Sequence, residues 1–186
     1  MMVGSGARAL IFIVNIVFSL YIAALYLRII LQHQRADYYN PAVQFIARVT
    51  DPVVRPLRRL IPGVAGWDIA AFLVAIVCGF INVVIVHYLI GIGLAGPLLA
   101  RDTGMKLLAV LLNLYIFTIL IQALMSWINP GRYSPVAALL WRMNEPLLRP
   151  VRRLIPPLGG TFDLSPLIVI VILEALSIFL GLPGYL

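Results

Sequence analysis

Charge is what this sequence has least of. Only 11% of its 186 residues are Asp, Glu, Lys or Arg, where soluble domains average about 25%. So little charge cannot clothe a water-facing surface on a chain of this length. Cysteine is nearly absent too. Cys78 stands alone, which excludes an internal disulfide and any thiolate metal cluster, and leaves packing as its expected role. There are two histidines, His33 and His87, well separated in the chain. No glycine-rich phosphate cradle, no G-x-S-x-G elbow and no cluster of metal ligands occurs. These absences point away from an enzyme, a cofactor or a metal. A basic balance can signal nucleic acid, but here it sits in short connections without an aromatic stacking platform, so no nucleic-acid partner is expected.

What fills the chain instead is apolar. Hydrophobic residues make up 62%, and the mean hydropathy is +1.03. Four windows, about 9–31, 69–94, 107–128 and 164–182, are nearly free of charge. Each approaches or exceeds the ~20 residues that a helix needs to cross the hydrocarbon core. The first run outlasts the ~7–15 apolar residues of a secretory signal, carries only Arg8 before it, and is expected to stay in the mature protein. The expected fold class is all-α: a polytopic membrane protein with four transmembrane helices.

The chain is also doubled. Residues 51–62 read D-P-V-V-R-P-L-R-R-L-I-P and residues 145–156 read E-P-L-L-R-P-V-R-R-L-I-P, differing only by Asp for Glu and by aliphatic exchanges at three positions. Asn40-Pro41 answers Ser134-Pro135, Arg48 answers Arg142, and Asp68 answers Asp163 after a one-residue insertion. The period is about 94 residues, giving tandem units over 1–94 and 95–186 with two spans each. Two spans per unit make the copies parallel, unlike the inverted repeats of many secondary transporters.

Basic residues set the orientation. The connection at 32–67 holds Arg35, Arg48, Arg55, Arg58 and Arg59, and that at 129–163 holds Arg132, Arg142, Arg149, Arg152 and Arg153. The other side has Arg8, Arg101 and Lys106. The positive-inside rule places both long connections in the cytoplasm, and both termini and the 95–106 turn outside.

Within each connection the pattern predicts interfacial helices over about 41–61 and 135–155. Asn40-Pro41 and Ser134-Pro135 read as cap-plus-proline starts. Asp51-Pro52 and Glu145-Pro146 read as second starts. Pro56 and Pro150 then imply either a kinked helix or a single turn followed by a fresh helix. At ~100° per residue, Val53, Val54, Leu57, Leu60 and Ile61 share one face, and Arg55, Arg58 and Arg59 the other; Arg149, Arg152 and Arg153 repeat this. Such a basic amphipathic helix beside membrane spans should lie in the interface and meet anionic phospholipid headgroups. A plainer reading is that the arginines only enforce topology. A docking surface for lipid, or for a membrane-protein partner, better fits the exclusive use of Arg, whose planar fork suits phosphate and carboxylate. Tyr38 and Tyr39 are candidate interface anchors. Asp68 and Asp163 should cap the following spans and can also bridge to the arginines upstream.

Polar residues inside the spans are Asn15, Asn82, Asn113, Gln122 and Glu174. Interhelical hydrogen bonds are the expected role of the amides. Glu174 is a candidate intramembrane polar site, because a carboxylate in hydrocarbon is costly. It would be neutral and bonded to Tyr21, Tyr115 or Asn82, or would face a wet cavity.

The doubled motif at 50–62 and 145–156, with G-G-T-F-D-L-S-P at 159–166, D-Y-Y-N-P at 37–41 and M-S-W at 125–127, resembles the YggT family of bacterial membrane proteins. The first unit has W-D-I-A-A at 67–71 where the second has F-D-L-S-P, so the pattern has drifted there. The resemblance implies a multi-pass protein of the bacterial plasma (inner) membrane, and links to osmotic stress tolerance, to cell division or morphology, and in plastids to cytochrome b6 maturation. It brings no agreed activity. Two functions of different class follow. One is a non-enzymatic organiser or assembly factor acting at the cytoplasmic membrane surface, perceived through the arginines. The other is a small ion or solute channel or transporter, with a homo-oligomer as one arrangement. Largely unbroken spans favour the organiser.

Overall fold

The computed structural model describes residues 4–34, 39–64, 66–128, 134–155 and 163–182. Arg35, Tyr38, Arg132 and the G-G-T-F stretch at 159–162 lie outside the described residues. Six helices follow in order: α1 (Ser5–His33), α2 (Pro41–Leu60), α3 (Ile69–Ile90), α4 (Gly96–Ile128), α5 (Pro135–Leu154) and α6 (Ser165–Phe179).

Three segments, Ser5–His33, Ile69–Ile90 and Gly96–Ser126, are long and apolar enough to cross a membrane. The fourth expected span is shorter. Helix α6 is apolar but has 15 residues, about 22 Å at ~1.5 Å per residue, against a hydrocarbon core of about 30 Å.

Two expectations need correction. The sequence predicts the third span over 107–128, with 95–106 as a turn, yet α4 begins at Gly96 and takes Arg101, Asp102 and Lys106 into the helix. The turn is confined to a few residues by Gly91. Its φ of 73° is left-handed, and it ends α3 with Ile92 N–H donating to His87 O at 3.0 Å. Pro97 lies in the first turn of α4, where its missing N–H costs nothing.

The second correction concerns Asp51, Pro52, Pro56 and their counterparts Glu145, Pro146 and Pro150. The sequence reads Asp51-Pro52 and Glu145-Pro146 as fresh helix starts, and Pro56 and Pro150 as either a kink or a break. Instead α2 and α5 each run unbroken for 20 residues with both prolines inside. Prolines four apart share one helix face, and all four are exposed. The carbonyls they leave unbonded therefore lie on the outer side, away from the packed one. The inner side is held by Thr50 and Val54 in α2 and by Asn144 and Leu148 in α5, all fully buried. Burying an aliphatic side chain contributes ~1.5–3 kcal/mol, comparable to the ~3 kcal/mol that an internal proline costs.

The buried residues form two clusters. One joins Ile22, Leu25 and Ile29 of α1 and Ala70, Ala71 and Val74 of α3 to Val54, Val110, Leu114 and Met143. The other joins Ala109, Leu112, Ile116 and Ile119 of α4 to Leu148, Val169 and Leu173. Helix α4 thus belongs to both cores and couples the units. Gly79 permits its close approach to α3: a Cβ there would stand 3.1 Å from Leu107 Cδ2.

Candidate functional site

Helices α2 and α5 pack where α1 and α4 end and where α3 and α6 begin, and each junction is built around one arginine and two carboxylates. In the first unit the arginine is Arg28, from the last turns of α1. Its Nη1 donates to Asp51 Oδ1 at 2.7 Å and Thr50 Oγ1 at 2.8 Å, and its Nε donates to Asp68 Oδ2 at 3.0 Å. Asp68 is fully buried at its side chain, whereas Asp51 retains 29% exposure. The other oxygen of Asp68 accepts from Ala71 N–H at 3.1 Å, so this residue caps α3 and bridges upstream together. Arg58 approaches the same carboxylate only to 3.9 Å, with its side chain 44% exposed.

The second unit reaches the same junction differently. At the position of Arg28, one repeat period later, stands Gln122, and at that of Thr50 stands Asn144. Asn144 Nδ2 donates to Gln122 Oε1 at 2.9 Å, and Thr118 Oγ1 donates to Asn144 Oδ1 at 3.0 Å. The arginine now comes from α5. Arg152 donates from Nη1 to Glu145 Oε2 at 2.7 Å and from Nε to Asp163 Oδ2 at 2.8 Å, and its guanidinium lies 4.7 Å from the Trp141 ring centroid. Burial alone would raise the Asp163 carboxyl, but the Ser165 backbone N–H, 2.9 Å away, and Arg152 together hold it below the ordinary carboxylate value. The bridging guanidinium has moved from one helix to another while the two acids have stayed.

This placement divides the six candidate arginines. Arg152 is committed to the junction. Arg55, Arg59, Arg149 and Arg153 are exposed, and Arg58 lies between these cases. The same helices expose Phe45, Val53 and Leu60 in α2 and Trp141 and Leu154 in α5, with Ile155 just beyond its end. Asn40 caps α2, its Oδ1 accepting from Ala42 N–H at 3.0 Å, and its Nδ2 reaches Pro135 O at 2.8 Å, tying the starts of α2 and α5 together. Ser134 makes no side-chain cap bond. His33 stacks on Trp67, centroids 4.1 Å apart. Tyr39 is exposed.

Glu174 is not an interior residue. It lies on the exposed side of α6, and Tyr21 Oη and Asn82 Nδ2, which were expected to reach it, have no partner among the described residues. The repeat explains the shift: the aligned Gly79 faces α4, and among the described residues α6 has no equivalent helix on that side.

At the far end of the bundle lies a polar group that sequence reasoning did not assemble. Lys106 of α4 is 3% exposed, and its Nζ donates to Ser19 Oγ at 2.8 Å and Asn15 Oδ1 at 3.4 Å of α1. His87 Nε2 lies 2.9 Å from Asp102 Oδ2, joining α3 to α4. Treating 95–106 as a turn hid this. The available signal was the i, i+4 spacing of Asp102 and Lys106, which puts both on one face once the segment is helical.

Taken together, the described residues form an all-α protein of membrane-spanning type, built from a duplicated helical unit closed by arginine–carboxylate junctions. The sequence model of the CCB3/YggT family matches residues 7–89 and 102–183. The chain belongs to that family. It is 38% identical over 178 residues to an uncharacterised protein of Pseudomonas aeruginosa, covering 95% of this chain and 89% of that one. It is 39% identical over 175 residues to the uncharacterised protein YggT of Escherichia coli K12, covering 91% and 88%. A further uncharacterised protein, from Vibrio alginolyticus, is 37% identical over 173 residues, covering 91% and 92%. No solved structure matches the chain.

Proposed function

We propose that this chain is a non-enzymatic organiser of the bacterial inner membrane, serving envelope integrity or osmotic stress tolerance by gathering anionic phospholipid beneath its bundle. In this reading α1, α3, α4 and α6 cross the bilayer, with residues flanking α6 completing the fourth crossing. Helices α2 and α5 lie as amphipathic elements in the cytoplasmic interface, and both termini are outside. The observation that carries the reading is the pairing, on α2 and α5, of exposed arginines (Arg55, Arg59, Arg149, Arg153) with exposed apolar side chains (Phe45, Val53, Leu60, Trp141, Leu154). A helix of that kind sinks its apolar residues among the acyl chains and leaves its cations at headgroup level. At about 1 kcal/mol per basic residue near an anionic surface, four arginines supply about 4 kcal/mol, enough to enrich acidic lipid locally. Glu174 supports a neighbour on α6, a membrane-protein partner or a second copy, since an exposed carboxylate in hydrocarbon is costly.

The test is native mass spectrometry of the full chain released from membranes of mixed phosphatidylethanolamine and phosphatidylglycerol. Replacing Arg55, Arg59, Arg149 and Arg153 by glutamine should strip co-purifying phosphatidylglycerol, whereas Arg101→Gln, at the other end of the bundle, should not. Equal retention by both variants would overturn the reading. A second reading, a small ion or solute channel or transporter, is favoured by the polar group around Lys106, because charged residues inside spans commonly line solute paths.

A further inference from the structure

The polar group at the far end borders a half-open cavity of about 280 Å³ between α1, α3 and α4, lined by Asn15, Asn82, His87, Asp102 and Lys106 and continuing past Ile92 at the α3–α4 turn. Two of its side chains are built for a guest. Asn82 is 1% exposed and His87 is 5% exposed, yet Asn82 Nδ2 and His87 Nδ1 have no hydrogen-bond partner among the described residues. Buried polar atoms without partners are few in folded proteins, and each one calls for an account. Here two such atoms border the same space as a buried lysine.

The chemistry of the lining selects the guest. The Lys106 ammonium, which also holds Ser19 and Asn15, and the Asn82 amide N–H are the donor groups, and the lysine repels a metal or organic cation. Asp102 is engaged by His87 Nε2 at 2.9 Å. Among the described residues, the titratable groups lining the cavity are His87 from α3 and Asp102 and Lys106 from α4; α1 contributes Asn15 to the lining and Ser19 as a partner of Lys106, neither of them charged, and Arg8 and Arg101 are exposed and do not line it. With a neutral imidazole, Lys106 and Asp102 balance. If the imidazole gains a second proton, on Nδ1, one further negative charge restores balance, and Nδ1–H becomes a third donor for it. At about 30 Å³ per water, the space admits a small ion with part of its hydration shell. We infer that this cavity binds a small monovalent inorganic anion, of halide or nitrate type, held by Lys106, Asn82 and His87, with a proton taken up on the imidazole as it binds. The site stands at the opposite end of the bundle from the basic helices and is independent of what they gather.

Bromide is the probe. The full chain in a nonionic maltoside is titrated calorimetrically with sodium bromide against a gluconate background, on the acid and on the alkaline side of neutrality. Saturable binding of one bromide per chain is expected, tighter on the acid side. Asn82→Leu removes one hydrogen bond to a charged group and should weaken binding about tenfold or more. Lys106→Met should abolish it. His87→Gln should remove the pH dependence and leave weaker binding. Absence of saturable bromide binding by the unaltered chain, or an unchanged affinity in Asn82→Leu, would overturn the inference. Should Lys106→Met fail to fold, Asn82→Leu and His87→Gln decide the matter.

Discussion

Replacing Arg28 by glutamine removes a guanidinium that is 11% exposed and that reaches Asp51, Thr50 and Asp68 at 2.7, 2.8 and 3.0 Å. The losses are unequal. Asp51 is 29% exposed and recovers part of its solvation from water, whereas the side chain of Asp68 is fully buried and keeps only the Ala71 N–H and the distant Arg58. Breaking a buried ion pair from one side costs about 3–5 kcal/mol. Arg58, already 3.9 Å away, can close on Asp68 and bring the figure to the lower end, about 3 kcal/mol. The second unit supplies the remedy. Adding Thr50→Asn to Arg28→Gln recreates the Asn144–Gln122 bond and leaves Arg58 to span both acids as Arg152 does. One restored neutral hydrogen bond and a closed ion pair should return about 1–2 kcal/mol. Equilibrium unfolding of the full chain in mixed micelles, followed by circular dichroism, measures both variants. A double variant no more stable than Arg28→Gln alone, or a single variant as stable as the unaltered chain, would refute the reasoning.

Two further outcomes follow from particular contacts. Gly79→Val places methyl groups against Leu107 and Thr103 at the α3–α4 interface, and should cost about 1–3 kcal/mol in the same unfolding measurement. Gly79→Ala should stay within about 1 kcal/mol, because the leucine tip can shift and alanine favours the helix. The Asp163 carboxyl is held below its unfolded value, so its contribution is complete above about pH 4 and is lost as pH falls below that. Thermal unfolding should therefore show an acid-side decline that Asp163→Asn flattens.

Much of this architecture was legible because duplication repeats its own signals. The two Asn/Ser-Pro starts, the two acids ahead of α3 and α6 and the apolar windows all read directly from residue type and spacing. At the internal prolines a kinked helix and a break both stay open, because proline rules describe a helix in isolation; α2 and α5 keep their prolines inside one helix, held by buried Val54 and Leu148. A charge-free window makes the third span too short, because it treats charge as a boundary. Lys106, Asp102 and His87 satisfy one another or α1 across helices, so charge there continues the span. The junctions were half legible: Asp68 and Asp163 pointed to the upstream arginines, but nothing local to Arg28 or Gln122 announces that one repeat uses the first helix and the other uses the basic helix.

The contact of Lys106 with α1 also fixes the order of the halves. One period earlier, Lys106 corresponds to Phe12 and Asp102 to Arg8. Phe12 is 62% exposed, on the outer side of α1. The opening helix of the first half is thus finished for an edge, and that of the second for a seam. A gene with the halves transposed would carry the seam's lysine and aspartate to an edge and bring the edge's phenylalanine into the seam. Duplication gave two like units, but subsequent divergence has made them a left and a right.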